Sequence, residues 1–376
     1  MEAEDLFKLF KLAEEEKMAV LLIGKYGTGK SSVVYEYGKK RAKELEGELA
    51  IWHELSEEEK EKVIKNAGKY YVIVDIKGPM ISPENLIMPL LVDEELIWET
   101  PLWVKVFNKE ESAGILLIDN IDMAPSGLQS TLSELILQRK IAEDSLESKN
   151  LLVAAVGNDS GSNEYANEIP KQLLNRFIVV NTDNILLNVD YWVKWALQND
   201  IDKRVIDYVL YKNNLFTMAR EPLGQSTTPR TLHILSDMIK NENNMEYIEL
   251  VSKASLEEHD ALEFTEFIKL YEKLKDLEKY VKNTELLNEL NEQELFIVSM
   301  KITDMYLNNK VDVDKYFNFI ESVAKKRREY SLTMYKYIKD IVKNSEKTNM
   351  LIEKILQHKD SEMHKLFNEL LTFSKL

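Results

Sequence analysis

The string Gly24-Lys25-Tyr26-Gly27-Thr28-Gly29-Lys30-Ser31 holds the most legible chemistry in this chain. It satisfies G-x-x-x-x-G-K-[ST], the phosphate-loop pattern, and directly follows the short apolar run Ala19-Val20-Leu21-Leu22-Ile23. Such a loop works through its backbone: glycines let N–H groups turn inward around a β-phosphate at the start of a helix. Lys30 then reaches the β and γ oxygens, and the Ser31 hydroxyl takes a coordination position on Mg2+, with Ser32 beside it. The stretch from Gly24 to Ser32 is therefore the expected site for ATP with Mg2+, and Lys30 is expected to face solvent when no ligand is bound.

A triphosphate site also needs a carboxylate at the end of a neighbouring buried strand, to hold the metal through water. Ile115-Leu116-Leu117-Ile118-Asp119 supplies one, so Ser31 and Asp119 are the expected metal-side pair. Asn120 follows and cannot accept a proton. In extended backbone, side chains alternate, which puts Asn120 and Asp122 on one face, roughly 6–7 Å apart, pointing away from Asp119. Asp122 serves as a base only if the chain bends back after the strand.

The apolar pattern shows what must position these groups. Tyr71-Val72-Ile73-Val74, Gly114 to Ile118, Leu151 to Val156 and Phe177-Ile178-Val179-Val180 join the first run as short stretches apolar on both faces, which parallel strands covered by helices require. Helix signals lie between them: Leu6, Leu9, Phe10 and Ala13 at helical spacing, Ser56 with Glu59 as a capping box, Ser82-Pro83 before Glu84, and Pro125 before a segment running to Arg139. The expected fold is a three-layer α/β phosphate-loop domain over 1–187. From Asp190 onward only helical periodicity remains, giving an α-helical lid over 188–272 and a helical C-terminal region over 273–376.

With 376 residues, 44% hydrophobic and 30% charged, the chain is in the globular range. Lys and Arg total 49 against 65 Asp and Glu, a formal net charge of −16, which disfavours a non-specific nucleic-acid binder. Zero cysteines exclude disulfides and thiolate zinc sites, and five scattered histidines argue against a metal cluster built from side chains. The acidic start Met1-Glu2-Ala3-Glu4-Asp5 and the lack of a long apolar run lead to the expectation of a cytoplasmic protein with no membrane span. Lys325-Lys326-Arg327-Arg328 reads either as a solvated helix face or as a dock for an acidic partner.

In order and spacing, Gly24 to Ser31, Ile115 to Pro125, Val156-Gly157-Asn158, Pro170 to Phe177 and Thr228-Pro229-Arg230 resemble the motifs of AAA+ ATPases. Asp119-Asn120-Ile121-Asp122-Met123-Ala124-Pro125 looks most like the MoxR branch, where the string is typically D-E-I-N-R-A-P. The resemblance spans roughly residues 18–240. It implies a five-stranded parallel sheet, a lid beginning near Asp190, and a homo-oligomeric ring, commonly hexameric, hydrolysing ATP between subunits. It also implies a protein partner, often one carrying a von Willebrand factor A domain. Within it, Asn158 matches the sensor 1 residue that orients the attacking water, Arg176 the arginine finger offered to a neighbouring subunit, and Arg230 the sensor 2 residue on the lid. Their own settings also fit a turn residue, a helix-end arginine and an exposed helix residue. The position of the family's catalytic glutamate falls on Asn120. In MoxR-like proteins an insertion projecting toward the ring pore falls within 77–113, where Ile97-Trp98 and Trp103-Val104 otherwise read as aromatic packing on the sheet edge. Arg139-Lys140-Ile141 with Ser148-Lys149-Asn150 flank either a short hairpin or a solvated connection.

Three readings of function follow. The first is a MoxR-type remodelling or chaperone-like ring ATPase acting on a protein. The second is an ATP-binding scaffold with little hydrolysis, because of Asn120. A nucleic-acid motor is the third reading, set back by the net charge.

Overall fold

Strands that are apolar on both faces must be covered twice, and in the computed structural model four of the five apolar runs form the interior of one sheet. The fifth, Phe177-Ile178-Val179-Val180, expected to be doubly buried, is an edge strand with Val179 exposed. The structure describes residues 3–82, 86–92, 95–125, 128–159, 169–216 and 226–373. Its strands are β1 (Ala19–Gly24), β2 (Glu48–Ile51), β3 (Tyr70–Lys77), β4 (Met88–Val92), β5 (Glu95–Glu99), β6 (Ala113–Asp119), β7 (Lys140–Ile141), β8 (Asp144–Ser145), β9 (Asn150–Asn158) and β10 (Phe177–Asn181). Six of them make a parallel sheet in the order β10-β1-β9-β6-β3-β2. The resemblance implies five. The sixth, β2, is a four-residue edge strand that starts with an exposed Glu48, too short to read as a strand.

Alternation sorts the apolar residues to two faces. Leu21, Val72, Val74, Leu116, Ile118, Val153 and Ala155 pack with Val104, Phe107, Leu132, Leu135 and Leu173. The intervening Val20, Leu22, Ile73, Ile115, Leu117, Leu152 and Ala154 are equally buried on the other face. There α1 (Ala3–Glu15) and α2 (Lys30–Glu44) are joined by Glu14, which accepts from Tyr37 Oη at 2.9 Å and pairs with Arg41 Nη2 at 3.0 Å. The helix α3 (Glu57–Lys65) starts with the expected capping box: Ser56 N–H donates to Glu59 at 2.8 Å and Glu59 N–H to Ser56 Oγ at 3.3 Å. The helix start read at Pro83 and Glu84 lies outside the described residues.

Between β3 and β6 the chain forms an antiparallel pair, β4 with β5. It separates the two tryptophans: Trp98 is exposed on the hairpin, while Trp103 is buried, its ring 6.4 Å from that of Phe107. The second hairpin, β7 with β8, lies wholly inside Lys140–Ser145. Arg139 packs inward: its Nη1 donates to Leu151 O at 2.8 Å, and burial pulls its pKa down to about 10.

Chain contacts divide the molecule into Met1–Leu187 and Asn188–Leu376. The second unit is helical throughout its described residues, including Val189–Gln198, Lys203–Tyr211, Pro229–Ile239, Glu258–Lys273, Glu292–Leu307 and Val313–Lys326. Tyr208 packs edge-on against Phe264 at 5.1 Å, and Tyr306 stacks on Tyr316 at 4.2 Å. Lys203 ties three helices: it pairs with Asp207, reaches Asp304 at 3.1 Å, and Asp207 accepts from Tyr271 Oη at 3.2 Å. In the basic run, Lys325 pairs with Glu321, Arg327 with Glu292 and Arg328 with Glu369, and Lys326 donates to the carbonyls of Leu287 and Leu290. The chain's own acids and carbonyls thus engage all four cations, which fits a solvated, self-paired face. Among the described residues, no helix is long and apolar enough to cross a membrane.

Leu116 sits fully buried on a central strand. Leu116→Ala is expected to lower stability by about 2–5 kcal/mol. Urea unfolding followed by circular dichroism checks it, and a loss below about 1 kcal/mol contradicts this packing.

Candidate functional site

The C-terminal ends of β1, β9, β6 and β3 converge on one edge of the sheet, and the expected residues leave from there. The loop after β1 turns on Gly27 and Gly29, whose φ values of 71° and 95° lie in the left-handed region that favours glycine. Thr28 Oγ1 donates to Lys25 O at 3.0 Å, tightening the turn. Lys25 N–H donates to Asp183 Oδ1 at 2.9 Å. That anchor is not legible in the sequence: Asp183 becomes a neighbour only because β10 pairs with β1 up to Ile23 and Asn181.

Lys30 does not face solvent as expected. It is 5% exposed, and its ammonium donates to Gly24 O at 2.9 Å, Lys25 O at 2.5 Å and Asn158 Oδ1 at 3.2 Å. The loop's own carbonyls and the end of β9 thus take up the positive charge of Lys30. Asn158 stands opposite Gly24 in the parallel register, which brings it beside the loop.

Ser31 Oγ donates to Asp119 Oδ1 at 2.9 Å, so the expected metal-side pair is in contact. A hydroxyl and a carboxylate are the hard oxygen donors that Mg2+ takes. Asp75 Oδ1 and Asp122 Oδ1, on the two chain segments flanking Asp119, are buried without a hydrogen-bond partner among the described residues. Spare acceptor oxygens around a Ser–Asp pair fit a hydrated divalent ion.

Beyond Asp119 the expectation of continued extended backbone fails. Asn120 adopts φ 54°, ψ 51°, and Ile121–Met123 form a single 3-10 turn. This is the bend that Asp122 required: its carboxylate is 1% exposed, and Oδ2 accepts from Asn158 Nδ2 at 3.3 Å. A chain Lys30–Asn158–Asp122 results, with Asn158 accepting at one end and donating at the other. Left-handed backbone is tolerated better by Asn than by most residues, which gives Asn120 a conformational reason to be there. Gly78 makes room for the bend, since a Cβ there would lie 2.3 Å from Asn120 O.

Sequence reasoning missed Lys77. It lies directly across from Asp119 in the β3–β6 register. Its ammonium bridges Asp119 Oδ2 and Asp75 Oδ2, each at 2.8 Å, and Tyr35 Oη also donates to Asp75 Oδ2, at 2.9 Å. Burial lowers the Lys77 pKa, but the hydrogen bonds and charges of Asp119 and Asp75 outweigh it and hold the group above the usual lysine range. Burial, then Asp75, pushes the Tyr35 hydroxyl up as well. Lys77 closes a run apolar at nearly every position, and only strand register reveals what it faces.

Arg176 is half-buried just before β10, which begins with Phe177 opposite Ala19. It therefore lies at the other end of the sheet from the loop, roughly 16 Å along the strand direction. It is remote from the loop residues 24–31 of this chain. Arg230 is exposed in the first turn of Pro229–Ile239, fixed by a capping box in which Thr228 N–H donates to Thr231 Oγ1 at 2.8 Å. His259, Asp260 and Glu263 bring ligand atoms within 4.8 Å of one another, but Glu263 is already engaged by Lys212 at 2.6 Å.

No protein-family model matches the sequence, and no curated protein matches it. Solved structures that are similar include a point mutant of Thermotoga maritima RuvB, at 14% identity and a TM-score of 0.35, covering 83% of this chain and 79% of that one. The Thermotoga maritima RuvB Holliday junction branch migration motor has 13% identity and a TM-score of 0.34, covering 88% and 86%. NtrX from Brucella abortus has 11% identity and a TM-score of 0.31, covering 93% and 67%. Likeness at that level carries no weight for function, and the fold stands on the strand order and the loop.

Gly78→Ala tests the bend. The methyl group meets backbone, so the turn after Asp119 must shift, at a cost of about 1–3 kcal/mol. Thermal unfolding is expected to show the loss, and an unchanged melting temperature contradicts the close approach.

Proposed function

We propose that this chain is an ATP-dependent ring ATPase of the AAA+ type, MoxR-like, that remodels a protein partner and hydrolyses ATP between subunits. The supporting observation is the contact of Ser31 with Asp119 beside the chain Lys30–Asn158–Asp122, all at the ends of adjacent parallel strands. Bound Mg2+ would be held by Ser31 and, through water, Asp119, and would neutralise charge on the β and γ phosphates.

The protein's own groups supply the rest. Lys30 gives up the carbonyls of Gly24 and Lys25 for phosphate oxygens, a change of acceptor that needs only a side-chain movement. Asn158 then orients the attacking water, and Asp122, buried and carrying an oxygen with no partner among the described residues, accepts its proton. Placing the base on Asp122 answers the absence of a carboxylate at Asn120. Arg176, remote from its own loop, serves a neighbour's γ-phosphate in this reading, and Arg230 serves from the lid. A hexamer and a partner with a von Willebrand factor A domain complete the proposal.

The second reading, a nucleotide-gated scaffold with little turnover, is favoured by one observation: Asn120 occupies the position of the family's catalytic glutamate. The nucleic-acid motor has only the net charge of −16 to argue from, and that argues against it.

Lys30→Ala is expected to weaken ATP binding about 10- to 100-fold, the range of a charge-assisted hydrogen bond, with the fold kept. Calorimetric titration checks this, and unchanged affinity removes the site assignment.

Single-turnover phosphate release separates the two readings. Wild type is expected to be slow but above background, Asp122→Asn at background, and Asn120→Glu little changed while losing about 1 kcal/mol of stability at its left-handed position. Background release by nucleotide-bound wild type favours the scaffold. A rise of about 10²-fold or more in Asn120→Glu, with Asp122→Asn silent, rejects Asp122 as the base.

A further inference from the structure

The arrangement around Lys77 carries an inference that rests on the nucleotide-site reading and goes beyond it. The carboxylate assigned to the metal, Asp119, has both oxygens engaged: Oδ1 by Ser31 and Oδ2 by Lys77. Lys77 is in turn held by Asp75, whose side chain is 3% exposed and fixed by Tyr35. The two carboxylate oxygens that share the ammonium stand no further apart than twice 2.8 Å. Like charges that close and that buried need a cation between them. Asp75 Oδ1 is buried in the same surroundings without a partner among the described residues. A side chain 45% exposed thus supplies a charge that a divalent ion would otherwise bring.

We propose that Lys77 is a displaceable counter-cation that excludes free divalent metal from Asp119 and makes metal binding depend on nucleotide. Without nucleotide, a metal ion entering at Asp119 must break the Lys77 contact and places its own charge near two ammonium groups, Lys77 and Lys30. With a triphosphate in the loop, the added negative charge balances both the metal and the lysines, so Lys77 can release Asp119 while Asp75 retains it. Metal specificity is then set by charge balance: the site accepts Mg2+ with a polyphosphate and rejects it alone. Arg in place of Lys77 preserves the cation, whereas Met preserves only the stem.

The experiment measures Mn2+ binding to the full chain by the loss of the free-ion paramagnetic resonance signal, with and without a non-hydrolysable ATP analogue. In the absence of nucleotide, Lys77→Met is expected to bind Mn2+ about 10- to 100-fold more tightly than wild type, the range of one charge-assisted contact. Lys77→Arg should stay near wild type, and Asp119→Asn added to Lys77→Met should abolish the gain. With the analogue bound, the difference between wild type and Lys77→Met should shrink below about threefold. Equal nucleotide-free Mn2+ affinities in wild type and Lys77→Met, with the analogue still bound by both, overturn the proposal and leave the nucleotide site standing. The proposal also falls if Lys77→Met loses affinity for the analogue alone, since Lys77 is then a phosphate ligand. Failure of wild type to bind the analogue overturns the site reading and this proposal together. Should Lys77→Met not fold by circular dichroism, Lys77→Gln carries the same comparison.

Discussion

Parallel pairing delivers the C-terminal ends of all strands to a single edge, and every chemical feature of the N-terminal unit depends on that constraint. Gly24, Asn158, Asp119 and Lys77 are far apart in sequence, yet the registers of β1 with β9, β9 with β6 and β6 with β3 line them up. Each of these four strands is buried on both faces along most of its length, so a one-residue slip would turn core side chains to the wrong layer and misplace its terminal residue together. Burying the core and aligning the polar ends are therefore one requirement.

The polar edge is neutralised from within. Lys30 is satisfied by carbonyls and Asn158, Asp119 by Ser31 and Lys77, and Asp75 by Tyr35 and Lys77. Unpaired charges so close to a dry sheet would be expensive, so each group has a substitute partner. Ligand binding at such a site is an exchange of partners, and its affinity is a difference between two sets of charge-assisted contacts. Asp75 Oδ1 and Asp122 Oδ1, without partners among the described residues, are where this self-satisfaction is incomplete.

Much of this was legible from residues alone. Runs such as Ile115-Leu116-Leu117-Ile118 read as doubly buried strands, and the spacing of Gly24, Gly29, Lys30 and Ser31 admits few other uses. What stayed hidden was fixed by tertiary register or by local backbone. Lys77 opposes Asp119 only because β3 pairs with β6, and Asp183 meets Lys25 only because β10 pairs with β1. Extended alternation mispositioned Asp122, because a left-handed Asn120 and a 3-10 turn broke the pattern within two residues. The edge strand β2 escaped notice because it is only four residues long and its apolar run is just Leu49-Ala50-Ile51.

The Lys203 cluster has a mechanical meaning. Its ammonium sits on Lys203–Tyr211, one of its carboxylates belongs to Glu292–Leu307, and Tyr271 joins from Glu258–Lys273. Lys203 and Asp207 share one helix, so pulling these helices apart would leave that pair intact but break the Lys203–Asp304 and Tyr271–Asp207 contacts, at a combined cost of about 2–4 kcal/mol. Thermal agitation supplies far less, which makes a hinge inside Asn188–Leu376 at this seam expensive. The helices on either side of residue 273 are stiffly coupled there, so a displacement imposed on one is handed to the other as in a lever, without being absorbed on the way.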